Sequence, residues 1–139
     1  MKRLSIAVLL VALFAAVSFA AVQDFGKFKI DVPAGWTATQ DGETVGIVKD
    51  DNTAAISITY GNTDGASLEE IAEEFVKALK GRNLQNNEGV YVFEMTNANG
   101  IDSKCILTGE NQEYGLVVIT GGENAQEEVD AIMSSIKDD

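Results

Sequence analysis

Histidine is missing from this chain altogether, and cysteine and proline occur once each, as Cys105 and Pro33. Without an imidazole, no Ser-His-Asp or Cys-His nucleophilic pair and no histidine-ligated metal site can be built. A lone cysteine rules out thiolate zinc clusters, a CxxC redox pair and an internal disulfide, so Cys105 reads as a small buried hydrophobe. Stability has to come from a packed core, and a chain of this size buries about two-thirds of its unfolded surface. Basic residues are also scarce, ten against 22 acidic ones, which gives a net charge of −12. Phosphate backbones and anionic headgroups are repelled by that field, so neither nucleic acid nor a membrane surface is an expected partner.

What is present at the start is a basic Met1-Lys2-Arg3, an apolar run from Leu4 to Val17, and a small-x-small sequence at Ser18-Phe19-Ala20. The run is too short to span a bilayer comfortably and lacks a basic stop-transfer flank. It predicts a signal peptide over residues 1–20, a mature chain from Ala21, and no stable membrane insertion after cleavage. No cysteine near the cut offers a lipid anchor. Loss of Lys2 and Arg3 leaves eight basic residues against the same 22 acidic ones and moves the net charge from −12 to −14. Solubility in an extracytoplasmic space accounts for that acidity.

Residues 21–139 read as one domain, with no repeat, linker or low-complexity stretch. Phe28, Ile30 and Val32 alternate with Lys29 and Asp31, the period of a half-buried strand, and Pro33-Ala34-Gly35 ends it. An extended piece follows from Trp36 to the Asp41-Gly42 turn. Val45 to Lys49 and Ala54 to Tyr60 form a predicted hairpin across Asp50 to Thr53, with Val45 and Ile47 set against Ile56 and Ile58. Ser67 and Glu70 have capping-box spacing, and Leu68, Ile71, Ala72, Phe75 and Leu79 repeat at helical intervals up to Gly81. Asn124 and Glu127 have capping spacing before a closing helix that buries Val129, Ile132, Met133 and Ile136.

Between the helices, Val90 to Thr96, Ile101 to Gly109 and Tyr114 to Thr120 predict a three-stranded meander, turning at Ala98-Asn99-Gly100 and at Asn111-Gln112. Charge sets its register. A three-residue turn ending in Gly100 places Glu94 opposite Lys104, Val92 opposite Ile106 and Phe93 opposite Cys105; a two-residue turn is worse on both faces. Cys105 then faces Val118, and Leu107 faces Leu116. Because Leu116 to Ile119 is apolar at every position, both faces of that strand need cover. A mainly antiparallel sheet between helices satisfies this, and a single helical layer is the alternative.

The run FGKFKIDVPAGWTA, followed by two short strands, a SLEEIAEEFVKAL helix, a meander and a closing EEVDAIMSSI helix, resembles the PsbP-like proteins, which include DcrB-like exported proteins. The sharp element is the strand and Pro-x-Gly-Trp opening from Phe28 to Trp36. The resemblance implies an α+β fold, a mainly antiparallel sheet of about six strands packed against two or more α-helices. It implies little about activity, because that fold serves as a photosystem accessory subunit, a Ran-binding transport factor and many exported proteins.

Local motifs for chemistry fail on spacing. Counting Gly65 as the sixth position of a calcium loop puts Tyr60 first and Ile71 twelfth, and neither is a carboxylate. Asp50-Asp51-Asn52 reads as a hairpin turn. Gly121-Gly122 precedes a helix without the GxxxxGK[ST] of a phosphate loop, and Glu123, Glu127 and Glu128 there compensate the helix dipole. Neither a cofactor nor a metal is expected, and paired carboxylates alone leave a hydrolase as a third-ranked reading. Aromatic residues give the one binding hint: Trp36, Tyr60 and Tyr114 lie near strand ends, where a ring can contact a ligand or partner, although Trp36 reads first as a core anchor. The expected function is a non-catalytic accessory domain that binds another envelope protein. The alternative is a carrier of a small apolar ligand in a cleft between sheet and helix.

Overall fold

The computed structural model describes residues 21–26, 28–96 and 99–138. The expected signal peptide, residues 1–20, lies outside them, as do Asn97 and Ala98, the latter the first residue of the expected Ala98-Asn99-Gly100 turn. Ten strands and two α-helices follow along the described chain: β1 (Ala21–Asp24), β2 (Phe28–Val32), β3 (Trp36–Asp41), β4 (Thr44–Lys49), β5 (Ala55–Asn62), α1 (Leu68–Leu79), β6 (Arg82–Asn87), β7 (Val90–Thr96), β8 (Asp102–Glu110), β9 (Glu113–Thr120), α2 (Gln126–Ser135) and β10 (Lys137–Asp138). Seven strands form one sheet in the order β3-β4-β5-β9-β8-β7-β6, and β1-β2-β10 form a second. Every neighbouring pair is antiparallel.

The predicted registers hold: Val45 pairs with Ile58 and Ile47 with Ile56, Glu94 with Lys104, Phe93 with Cys105, and Cys105 with Val118. Asn111 and Gln112 both take positive φ, 55° and 68°, between the paired Glu110 and Glu113. That is the twist a two-residue hairpin needs. Ser67 and Glu70 close the capping box on α1.

Four expectations are corrected. Lys80, not Gly81, takes the left-handed position that ends α1, at φ 56°. Gly81 is required for a different reason, since a Cβ there would come within 2.7 Å of the Phe93 ring. Asn124 does not cap α2; a 3₁₀ turn over Gly122–Asn124 intervenes and Ala125 stands at the N-cap without a side-chain bond. The chain does not end on that helix, because Lys137 and Asp138 pair with Lys29 and Phe28. Finally, the sheets gain β1, β6 and β10, which carry little strand pattern of their own: they are short or polar, and β6 has a register shift between Arg82 and Gln85.

The core is split in two by the large sheet. On one face, here the inner face, Trp36, Val45, Ile47, Ile56 and Ile58 pack against Phe28, Ile30 and Val32 of β2 and Val129 and Ile132 of α2. On the opposite, outer face, Phe93, Cys105, Leu107 and Leu116 pack against Ala72 and its neighbours on α1. Cover is therefore diagonal. The inner face is covered over β3, β4, β5 and β9, the outer face over β9, β8 and β7.

Candidate functional site

Diagonal cover leaves one quarter of each sheet face without a helix among the described residues. On the outer face of β3 to β5 the alternating pattern supplies Thr37, Thr39, Thr44, Gly46, Val48, Ser57 and Thr59. The Thr44 and Thr59 hydroxyls bond each other across the strands at 2.9 Å. This quarter, which also includes Ala55, is mainly polar, with Val48 its exposed large aliphatic side chain.

The inner face of β7 and β8 differs. Val92 pairs with Ile106 there, and Glu94 with Lys104. Val92 and Ile106 are half-buried, as is Ile119 on β9. With Val129 and Met133 of α2 they line a groove of about 600 Å³, whose rim carries Glu94, Asp102, Lys104, Glu123, Gln126 and Asp130. One end is formed by Gly121 and Gly122, where the chain turns from β9 toward α2. Arg82 of β6 stands at the outer edge, 3.7 Å from Glu94 and 3.3 Å from Asp102. The Thr96 hydroxyl and then the Arg82 guanidinium hold the Asp102 carboxyl below the usual carboxylate range. On the helix side, Gln126 donates to Asp130 at 2.9 Å, and that side of the lining carries no cation.

The three aromatics expected at a contact site are not brought together. Trp36 is only 2% exposed and belongs to the inner core. Its indole N–H donates to Glu128 Oε2 at 3.1 Å, and Lys49 Nζ reaches Glu128 Oε1 at 3.2 Å, so one carboxylate ties the start of α2 to the end of the sheet. The indole N–H, and then Lys49, keep the Glu128 pKa below its ordinary value. Tyr60 is half-buried on the same face, its ring 5.1 Å from that of Phe28. Tyr114 points to the outer face and meets Phe75 edge-on at 5.6 Å. It covers Gly61, where a Cβ would come within 2.5 Å of its ring. With Asn62, Asp64, Ile71 and Phe75 it lines a second, shallower groove of about 560 Å³.

Sequence reasoning missed the groove although it placed Val92 opposite Ile106. The available signal was that Val92 and Ile106 share a face with Glu94 and Lys104, while Phe93 and Cys105 fill the other. An apolar pair on each face of one hairpin needs cover twice, and two helices cannot cover two faces of a seven-stranded sheet.

Among the described residues no group of three Asp, Glu or Cys side chains is placed to share a metal ion, and no helix is long and apolar enough to cross a membrane. No family model matches the chain. No curated protein matches it either. Solved structures do. The solution structure of cyanobacterial PsbP (CyanoP) from Synechocystis sp. PCC 6803 superposes with a TM-score of 0.57 over 88% of this chain and 95% of that one, at 14% identity. The fold is PsbP-like. A crystal structure from Bacteroides thetaiotaomicron VPI-5482 matches with a TM-score of 0.53 at 13% identity, over 81% of this chain and 45% of that one. The PsbP-like α+β arrangement expected from the strand and Pro-x-Gly-Trp opening is thus observed, with seven strands in the main sheet.

Proposed function

We propose that this protein is an exported, non-catalytic accessory domain of the cell envelope that binds a protein partner in the groove between α2 and the inner face of β7 and β8. The observation that carries this reading is the half-buried Val92-Ile106-Ile119 floor, an apolar strip on a sheet whose other open quarter is mainly threonine and serine, with Val48 its exposed large hydrophobic residue. Export is supported by the basic start, apolar run and small-x-small sequence of residues 1–20. The groove is open along the surface, the form of a docking surface for a chain segment. Of the three aromatics, Tyr114 lines the second groove, and a secondary contact there belongs to the same reading.

A photo-crosslinking residue at position 106, carried by the full chain in intact cells, tests the reading. It should give a discrete protein adduct, while the same residue at position 48 on the polar quarter should give none. Absence of an adduct at 106 refutes it. The groove volume also falls in the range of small-ligand pockets, about 300–1,000 Å³, which supports the second reading, a carrier of a small apolar molecule. Mass spectrometry of organic extracts from the purified protein distinguishes the two.

A further inference from the structure

The groove has dimensions and charges that select among protein segments. We infer, resting on the protein-binding function proposed for it, that its occupant is a basic amphipathic helix from a partner, seated on β7 and β8 alongside α2.

Width is the first consideration. The inner face already accepts one helix, α2, over its β9 side. From β8 to β6 the remaining sheet spans two strand spacings, roughly 10 Å. A helix with its side chains is about 10–12 Å across. The floor offers Val92, Ile106 and Ile119, and α2 offers Val129 and Met133 as one wall, so an aliphatic stripe at i, i+3 and i+4 spacing has partners on two sides.

An added strand is the weaker fit. Its template would be the outer strand β6, whose pairing shifts between Arg82 and Gln85 and whose Asn83 takes φ 59°, features that blunt a sheet edge. A second copy of this chain is opposed by charge, since each mature copy, without Lys2 and Arg3, carries −14 instead of −12.

Charge then sets the sign of the partner. On the sheet side Lys104 and Arg82 are matched by Glu94 and Asp102. On the helix side the lining includes Glu123 and Asp130 and no cation. The incoming helix therefore carries Lys or Arg on the flank that meets α2, and aliphatic residues on the face that meets the sheet.

Three synthetic peptides test this with the purified protein: a helix-patterned peptide of Leu and Lys, the same pattern with Glu for Lys, and a scrambled peptide of the first composition. The patterned Lys peptide should become helical on binding, by circular dichroism, and shift the methyl resonances of Val92, Ile106, Ile119 and Met133 while leaving Val48 unmoved. The Glu and scrambled peptides should do neither. Ile106→Gln should weaken binding about tenfold, the scale set by one buried aliphatic side chain. Glu123→Gln with Asp130→Asn, changes on the surface that leave the core intact, should weaken it several-fold and flatten its salt dependence. Equal binding of the Glu peptide, shifts elsewhere on the acidic surface, or indifference to the double substitution overturns the inference. If the crosslink at position 106 forms and the Lys peptide fails, only the nature of the segment is wrong. If the crosslink fails as well, the groove is not a docking site.

Discussion

The two open quarters of the sheet occupy equivalent positions, one on each face and at opposite ends, yet they differ in chemistry. The outer face of β3 to β5 exposes hydroxyls and a glycine, with Val48 as its one exposed large hydrophobic. The inner face of β7 and β8 presents Val92 and Ile106 beside a helix that supplies Met133 and Val129. Among the described residues both lack a helical layer, so missing cover alone does not mark a site. A sheet face patterned for water is finished as it stands, whereas one patterned for burial has a further surface to meet.

Covered and open regions should respond differently to perturbation. The largest contrast is kinetic and concerns Cys105, which is fully buried on the outer core, with burial pushing its thiol pKa up to about 11. A disulfide reagent at neutral pH should label it slowly in native protein and quickly in denaturant, and fast native labelling would contradict the packing of α1. Next comes Trp36→Ala in the inner core, expected to cost about 3–5 kcal/mol by urea denaturation. Gly61→Ala drives a methyl into the Tyr114 ring and should cost about 1–3 kcal/mol; a smaller loss would mean that the ring swings away freely. In the open apolar quarter, Ile106→Gln should cost no more than about 1 kcal/mol while removing the crosslink or peptide binding. A large loss of stability there would make Ile106 a core residue and erase the distinction between the quarters.

The smallest effect is the pH dependence contributed by Glu128. Its folded pKa is lowered, first by the Trp36 indole and then by Lys49. Its contribution is therefore fully present above the ordinary glutamate value, and is lost as pH falls through the lower folded value. Urea midpoints measured across the acid range should fall more steeply for the wild type than for Glu128→Gln. Parallel curves would show that the carboxylate does not lock α2 to the sheet in solution.

Local order was legible wherever a pattern is set by neighbours in the chain. The Phe28 to Val32 alternation, the Ser67 and Glu70 box, and the Asn111-Gln112 turn each depend on a few adjacent residues. The meander register depended on one charge pair, Glu94 with Lys104, because a slip would move every side chain to the other face. The strands β6 and β10 were not legible. β6 has one core residue, Leu84, in a polar run, and β10 has only two residues. Such segments become strands because an edge is there to pair with, not through their own pattern. Trp36 illustrates a further limit, since its strand-end position allowed both exposure and burial until Glu128 was placed 3.1 Å from its indole nitrogen.

By itself the sequence determined the absence of imidazole and disulfide chemistry, the negative field, the strands and helices with strong periodicity, and the pairing of Val92 with Ile106. The fully apolar Leu116–Ile119 strand already called for helices on both faces, as observed, but only the tertiary structure decided that α1 and α2 lie at opposite ends of the sheet. It thereby decided which apolar strip stays open, because amphipathicity states that a helix must bury one side but not which part of a sheet it will cover.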